Sequence, residues 1–319
     1  MSAPTKNRFF APKQRPLVLG HRGTPWLHQE NSLAGLRRAL ELGADGVEFD
    51  VFLTRDGKVV VFHDEELERL TGHKGRVGDL TWDELSKLRL QRRVHMGKNA
   101  KGEEVVLTFE REEPIPLLEE VLSELKGRAV MDIELKPGTP NSSGRSVGQR
   151  VAEIVERLGI ADQVVITGFD FFKLAAVEKT HAALHTGFAY DDNALDVLEG
   201  FLSHVPELPS SVSRPRGNQN VETLLNWLFE LNTVGRFIGS SVVNVEHTLL
   251  DEDSASRFKK RGMAVGAYTL FPLDTQYVKQ LQSDEEQAAR ARWLAAHGVD
   301  WFETDDPAKL QAALSAVSA

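Results

Sequence analysis

Residues 43–72 read GADGVEFDVFLTRDGKVVVFHDEELERLTG and contain two apolar runs joined by a short polar segment. Asp56-Gly57 in that segment is a dipeptide typical of the tight turn of a β-hairpin. In the first run Glu48 and Asp50 alternate with apolar residues. Because successive side chains of a strand point to opposite faces, both carboxylates lie on one face. The stretch therefore predicts a strand that carries two acids on one side and then turns back on itself.

Outward from this stretch, short β-branched runs alternate with amphipathic segments of helix length, which is typical of a parallel sheet built from βα units. The predicted strands are Leu17–Leu19, Gly46–Phe52, Ala129–Leu135, Gln163–Thr167, Leu184–Tyr190, Ile238–Val243, Met263–Tyr268 and Asp300–Phe302. The predicted helices are Ser32–Leu42, Leu117–Leu125, Ser146–Leu158, Phe171–Lys179, Val221–Leu231, Leu249–Arg261, Gln287–Ala296 and Pro307–Ala316. This alternation favours an α/β fold of the closed (β/α)₈ TIM-barrel type over an open sheet.

Two segments break the alternation. The chain is polar and irregular after the hairpin, from about residue 65 to about residue 114, and residues 191–220 form a second, Pro/Ser/Asn-rich stretch typical of a surface loop. The sequence contains no internal repeat and no domain-sized linker. We therefore expect residues 1–319 to form a single domain.

The composition limits the classes of partner. The net charge is −9, and lysines and arginines are scattered rather than gathered into a basic stripe, so we expect no nucleic-acid partner. A small anionic substrate remains compatible with this charge, because local cations can attract it. The oligomeric state leaves no signal in the sequence.

The chain contains no cysteine, which excludes disulfides, thiolate metal sites and a cysteine nucleophile. No run of about 18 apolar residues occurs, and the first residues lack the apolar stretch of a signal peptide. We therefore predict no transmembrane segment and a cytoplasmic location.

A third acid, Glu134, occurs in MDIELK, where Asp132, Glu134 and Lys136 alternate with apolar residues. The simple alternative for Glu48 and Asp50, solvated acids on an edge strand, does not suit an early barrel strand whose two faces are both covered. Buried paired carboxylates need a cation or protons. Three oxygen ligands without a thiolate are typical of a divalent ion such as Mg²⁺ or Ca²⁺.

Two histidines, His21 and His63, directly follow apolar strand-like runs. Strand ends form the active face of a barrel, where a histidine pair can divide general-acid and general-base roles. Arg22 follows His21, and its planar fork of donors suits a phosphate. Lys136 would place a positive charge in the same mouth. For each of these residues the structural alternative, a hydrogen bond or an ion pair, stays open at this point.

The ordered set of motifs resembles the glycerophosphodiester phosphodiesterase family. Besides residues 43–72, the motifs are GHRGTPWLHQENS (20–32), PIPLLEEVL (114–122), MDIELKP (131–137) and GVDWFETDDP (298–307). HRG or HD alone would be a weak signal, but the full set in this order is specific and spans roughly residues 17–307.

The resemblance implies a TIM barrel with a small subdomain inserted after the second barrel strand, here about residues 65–114. It implies further that Glu48, Asp50 and Glu134 bind the metal and that His21 and His63 are the acid/base pair. The expected substrate contacts are Arg22, Lys136, Glu30 and Asn31.

The implied reaction is metal-dependent hydrolysis of glycerophosphodiesters to glycerol 3-phosphate and an alcohol, as part of lipid and glycerol metabolism. We assign His21 as base and His63 as acid, with water or a substrate hydroxyl as nucleophile. Two alternatives are phospholipase-D-like hydrolysis of lysophospholipids on the same barrel and a non-catalytic barrel that binds phosphodiesters.

The sequence departs from the family pattern near its carboxyl end. Phe271 stands where the family has an asparagine, and Trp301 and Glu303 replace small apolar residues. We therefore expect a different pocket floor and leave the alcohol specificity open.

Overall fold

A computed structural model describes residues 7–99, 101–136, 146–191, 240–273 and 282–315. Within them, eight parallel strands form a closed barrel, because the first strand pairs with both the second and the last. The barrel strands are β1 (Leu17–His21), β2 (Gly46–Leu53), β8 (Val130–Leu135), β9 (Val164–Gly168), β10 (His185–Tyr190), β11 (Val242–Glu246), β12 (Ala264–Leu270) and β13 (Trp301–Thr304). The predicted (β/α)₈ barrel is confirmed.

The register between β2 and β8 sets the position of the acids. Glu48 lies opposite Asp132, and Asp50 lies opposite Glu134. Because both strands are parallel and neighbouring, the acids of one strand stand beside those of the next, toward the carboxyl ends of the strands.

The described residues also form α-helices. They are α1 (Leu33–Glu41), α2 (Glu68–Thr71), α3 (Trp82–Leu85), α4 (Leu118–Leu125), α5 (Ser146–Leu158), α6 (Phe171–Thr180), α7 (Ser254–Lys260), α8 (Asp284–Ala296) and α9 (Pro307–Ser315). Of these, α2 and α3 belong to the segment between β2 and α4. None of the described helices is long and apolar enough to cross a membrane.

Two helix starts differ from the prediction by more than one residue. Helix α7 begins later than predicted because the Asp251 carboxylate accepts the backbone N–H of Ser254 and turns the chain there. Helix α8 begins earlier, because Ser283 caps it and Glu286 completes a capping box. The predicted helix Val221–Leu231 and the predicted loop, apart from Asp191, lie outside the described residues.

The segment between β2 and α4 returns along the barrel and then leaves it. Strand β3 (Val59–Val61) pairs antiparallel with β2. Beyond it the chain forms α2, α3 and the short strands β4 (Arg89–Leu90), β5 (Arg93–Lys98), β6 (Glu104–Thr108) and β7 (Glu113–Pro114). These elements share an apolar cluster, separate from the main core, that includes Leu67, Leu70, Leu85 and Phe109 and that extends to Phe52 of β2 and Val60 of β3.

The amino-terminal end of the barrel is closed by apolar side chains. Phe9, in a short 3-10 turn before β1, packs edge-on against Trp301 with ring centroids 5.3 Å apart. Both rings are fully buried and join Val165, Val242 and Ala264 in one cluster. Because side chains of the described residues fill this end, we look for a ligand site at the opposite end of the barrel.

Candidate active site

Three acids meet at the carboxyl ends of β2 and β8. Glu48, Asp50 and Glu134 each offer a carboxylate oxygen, and these atoms lie within 4.8 Å of one another. Glu48 and Asp50 are almost fully buried. The structure thus brings together the three residues predicted to bind the metal.

One oxygen of each acid is buried: Glu48 Oε1 has no hydrogen-bond partner, while Asp50 Oδ1 and Glu134 Oε1 face the ammonium of Lys136. Burial, together with the neighbouring charge of Asp50, raises the pKa of Glu48 well above its usual range. A buried set of oxygens with spare acceptor capacity is a costly arrangement unless a cation or proton satisfies it. The donor set fits a divalent ion that prefers oxygen ligands.

Lys136, just past the end of β8, faces the same acids. Its Nζ lies 2.8 Å from Glu134 Oε1 and 3.2 Å from Asp50 Oδ1. Burial would raise the pKa of Asp50, but the charge of Lys136 outweighs it, with help from His63 and Arg22, and the pKa of Asp50 falls. The lysine is therefore placed where it can face an anionic ligand held at the acids.

Arg22 follows β1 and adopts a left-handed backbone, with φ 52°. Its backbone N–H donates to Glu48 Oε2 at 3.0 Å, and its Nε lies 3.3 Å from Asp50 Oδ2. Such a backbone is uncommon for a residue other than glycine, so the site holds it in place. Arg22 therefore contacts both acids of β2. Its predicted role as a phosphate contact stays a prediction.

Asn31 also has a left-handed backbone, with φ 59°. Its Nδ2 donates to Asp50 Oδ2 at 2.8 Å, and its Oδ1 accepts the backbone N–H of Asp50 at 3.1 Å. Both polar ends of the Asn31 side chain are thus engaged by one acid. In this arrangement Asn31 orients Asp50, and its predicted contact with substrate remains a prediction. The neighbouring Ser32 caps α1.

His21 is oriented by an acid that we did not predict. Its Nδ1 lies 2.6 Å from Asp305 Oδ1, while its Nε2 lies 3.8 Å from Glu48 Oε2. The other Asp305 oxygen accepts the backbone N–H of Leu273 at 2.6 Å. A carboxylate on Nδ1 fixes the tautomer and leaves Nε2 toward the site. Asp305 belongs to the TDDP motif, whose spacing alone did not show which histidine it would reach.

His63 reaches the site by a different route from that of His21. It follows β3, the return strand of the predicted hairpin, which runs antiparallel to β2, whereas His21 lies at the carboxyl end of a barrel strand. The hairpin returns the chain toward Asp50, whose backbone oxygen accepts the N–H of Phe62 at 3.0 Å. His63 Nδ1 lies 2.6 Å from Asp64 Oδ1. Burial lowers the pKa of His63, and the charges of Arg22 and Lys136 lower it further.

Glu30 is almost fully buried in the segment between β1 and α1. Both of its oxygens accept hydrogen bonds from Arg69, at 2.7 and 2.8 Å, and one also accepts from Arg22 at 3.2 Å. Burial alone would raise the pKa of Glu30, but Arg69 and Arg22 outweigh it and lower the pKa to about 2. The predicted contact between Glu30 and substrate stays a prediction, since two arginines engage this carboxylate.

Two further buried acids, Asp132 and Glu303, lie near the candidate metal ligands. Asp132 accepts a hydrogen bond from Thr167 at 2.8 Å, and Glu303 accepts from Asn244 at 2.8 Å and from the Trp301 indole at 3.0 Å. Burial raises the pKa of both carboxyls, that of Asp132 to about 8. Glu303, one of the unusual residues of the sequence, is therefore part of the buried polar interior beside Glu48.

Trp301 and Phe271, the other two departures from the family pattern, are buried as well. A Cβ on Gly266 would lie 2.2 Å from the Trp301 ring, so only glycine leaves room for that indole. Phe271 is buried with φ 52°. The Tyr268 hydroxyl is buried with no hydrogen-bond partner, and the pKa of Tyr268 is raised by burial and by nearby acids.

Comparisons with known proteins identify similar sequences. A model of the glycerophosphoryl diester phosphodiesterase family matches residues 21–309. A glycerophosphodiester phosphodiesterase of Caldanaerobacter subterraneus subsp. tengcongensis is 33% identical over 177 residues, which cover 55% of this chain and 67% of that protein.

Solved structures show the same fold at low sequence identity. A phosphodiesterase of Oleispira antarctica, determined with the product sn-glycerol-3-phosphate, aligns with TM-score 0.62 and 21% identity over 94% of this chain and 97% of that one. A glycerophosphodiester phosphodiesterase of Agrobacterium tumefaciens gives TM-score 0.62 and 21% identity over 93% and 99%.

Proposed function

This chain belongs to the glycerophosphoryl diester phosphodiesterase family, and on that premise we propose that it hydrolyses glycerophosphodiesters to glycerol 3-phosphate and an alcohol with one divalent metal ion. The observation that carries the proposal is the convergence of three acids, two cations and two histidines at one barrel mouth. A barrel mouth at the carboxyl ends of the strands is where enzymes of this fold hold their active sites.

Glu48, Asp50 and Glu134 are the residues that would hold the metal, Mg²⁺ or Ca²⁺. The convergence of their carboxylate oxygens within 4.8 Å and the buried, unpartnered Oε1 of Glu48 support this assignment. A divalent ion bound there would stabilise the negative charge that develops on the phosphoryl oxygens. Arg22 and Lys136 would add positive charge on either side of Asp50, where a phosphodiester anion can be bound and oriented.

The two histidines would divide the proton transfers. Asp305 and Asp64 each engage the Nδ1 of one histidine, so each Nε2 is left to face substrate. One Nε2 would remove a proton from the attacking oxygen, and the other would protonate the departing alkoxide, a division typically worth ~10²–10⁴-fold.

The environment of His63 bears on which histidine has which role. Its lowered pKa favours the neutral imidazole, which is the form that a base requires. This direction speaks against our assignment of His63 as acid and His21 as base. The pH dependence of kcat/KM in wild type and in single histidine variants distinguishes the two assignments.

The test is turnover of glycerophosphocholine before and after chelation. We expect EDTA to abolish activity, Mg²⁺ or Ca²⁺ to restore it, and His63→Ala to lose most of it. His73→Ala, which removes an exposed histidine of the same segment, is the matched control and should retain activity. Full activity in excess EDTA or in His63→Ala would refute the mechanism, and no turnover under any condition would support the non-catalytic alternative.

Hydrolysis of lysophospholipids is a second candidate function, favoured by exposed apolar residues beside the site. Trp26 and Leu27, in the loop after β1, are 44% and 50% exposed. Phe271, by contrast, is buried. Comparing the hydrolysis of glycerophosphocholine with that of lysophosphatidylcholine decides between the two substrates.

We also propose that residues from about 65 to about 114 form a subdomain inserted into a single barrel domain. Their shared apolar cluster supports this organisation. The cytoplasmic location stays a prediction.

A further inference from the structure

We infer that Arg69 is a positioning residue for the proposed reaction, holding the groups that orient His63 and Arg22 in one hydrogen-bonded assembly. The inference rests on the proposed function. Arg69 lies in α2, outside the barrel, and its side chain reaches back to the site.

The guanidinium of Arg69 bonds two carboxylates at once. Toward Asp64, its Nε donates at 2.5 Å and Nη2 at 2.9 Å. Toward Glu30, Nη1 donates at 2.8 Å and Nη2 at 2.7 Å. Only arginine presents such a planar fork, because lysine carries a single point charge.

Each of the two carboxylates contacts a different functional group. Asp64 engages Nδ1 of His63 at 2.6 Å, and Glu30 accepts from Nη1 of Arg22 at 3.2 Å. Arg22 in turn lies 3.3 Å from Asp50. A continuous path of polar contacts therefore runs from one histidine, through Arg69, to an acid of the candidate metal site.

Charge balance explains why an arginine is needed at this place. Glu30, His63 and Asp64 have ligand atoms within 4.8 Å of one another, a set that could itself hold a metal ion. Arg69 already supplies positive charge to both carboxylates of that set. Without Arg69, the largely buried Glu30 carboxylate would keep its hydrogen bond from Arg22, and that of Asp64 would keep its contact with His63. Both side chains could then rotate toward other partners.

Helix α2 is well anchored, so Arg69 starts from a fixed backbone. Leu67 and Leu70, on either side of it in sequence, are fully buried in the apolar cluster of the inserted segment. The backbone oxygen of Leu70 accepts the N–H of Gln91 at 2.8 Å. The inserted segment thereby holds the Arg69 side chain in contact with Glu30 at the barrel site.

The experiment compares kcat/KM for glycerophosphocholine, with metal present, in Arg69→Gln, Arg69→Lys and a control. The control is Arg76→Gln, which removes an exposed arginine of the same segment that pairs with Glu66. We expect kcat/KM to fall roughly 10–100-fold in both Arg69 variants, as is typical when groups that orient a site are removed, and to be unchanged in the control. Metal affinity and the unfolding temperature of each variant are measured alongside.

The pH profile separates a positioning role from a merely structural one. The charged and titratable groups that face His63 are Arg22, Lys136, Asp50, Asp64 and Glu30. Arg69→Gln leaves one more negative charge uncompensated beside His63, so the limb of the profile that reports His63 should move to higher pH. Arg69→Lys keeps the positive charge and should move that limb less, although its kcat/KM also falls.

The outcomes are distinguishable. Wild-type turnover that is absent with every metal contradicts the proposed function itself. Active wild type with undiminished kcat/KM in both Arg69 variants overturns the role of Arg69. A loss of kcat/KM in Arg69→Gln without any shift of the pH limb also overturns it, because that result indicates a structural defect alone. If Arg69→Gln does not fold, Arg69→Lys still decides through its kcat/KM.

Discussion

Replacement of Asp132 by asparagine should make the protein more stable, and increasingly so at alkaline pH. Asp132 is fully buried inside the barrel, and its Oδ2 has no hydrogen-bond partner. Burial raises its pKa to about 8, despite the opposing hydrogen bonds to Glu303 and Thr167. An asparagine has the same shape, keeps an acceptor for Thr167 and has no charge to bury.

The magnitude follows from the two pKa values. An aspartate in the unfolded chain has a pKa of ~3.9, and each unit of difference is worth ~1.4 kcal/mol. The raised folded-state pKa gives a contribution to stability that is fully present below about pH 4 and is lost as the pH rises to about 8. The difference between variant and wild type is therefore smallest in acid and reaches its full value above pH 8.

Four units would correspond to ~5–6 kcal/mol, which is an upper bound because Glu303 can share the proton with Asp132. We expect roughly 1–3 kcal/mol above pH 8. With an unfolding entropy of ~2.1 cal/mol/K per residue, this corresponds to an increase in Tm of roughly 2–5 °C.

The assay is thermal unfolding of Asp132→Asn and wild type between pH 5 and pH 9, in EDTA so that no cation alters the neighbouring acids. Asp253→Asn is the matched control, since its side chain is 80% exposed, and it should change Tm little at any pH. A variant that is less stable at pH 9, or a difference in Tm that does not change with pH, would refute the reasoning that burial holds Asp132 protonated.

Two further substitutions test the groups that orient the site. Asn31→Ala removes both hydrogen bonds to Asp50; we expect metal affinity, measured by calorimetry, to fall roughly 10–100-fold, and an unchanged affinity would contradict the role of Asn31. Asp305→Asn weakens the partner of His21 Nδ1; we expect kcat to fall by up to ~10⁴-fold with little change in metal affinity, whereas wild-type kcat would show that the tautomer of His21 does not depend on Asp305.

The barrel and its three acids were predictable because they depend on short-range periodicity. Alternation in VEFDV placed Glu48 and Asp50 on one face of their strand, and alternation in MDIELK placed Glu134 on one face of the next barrel strand. Parallel pairing of the two strands then brought these faces together. The order of the strands along the chain was enough to predict that these acids meet. The same logic located His21 at the end of β1.

The partners of the histidines were not predictable in the same way. Asp305 meets His21 across 284 positions of the chain, and only the closure of the barrel brings them together. Arg69 reaches Glu30 across 39 positions, through the path that the inserted segment takes. The hairpin turn at Asp56-Gly57 was predictable, but a run of apolar residues does not reveal which side chains the histidine after it contacts.

The interior of the barrel is graded from apolar to charged along its axis, and this gradient accounts for the location of the site. Trp301, Val165 and Val242 fill the closed end, and the carboxylates of the candidate metal site meet toward the opposite end. Strand alternation produces this arrangement, since residues two apart on one strand point into the same interior at successive heights. Asp132 lies opposite Glu48 on the neighbouring strand, and burial raises the pKa of Asp132 and of Glu303. These two carboxyls can therefore stay neutral beside the candidate ligands, so the charged groups of the barrel interior are concentrated at its open mouth.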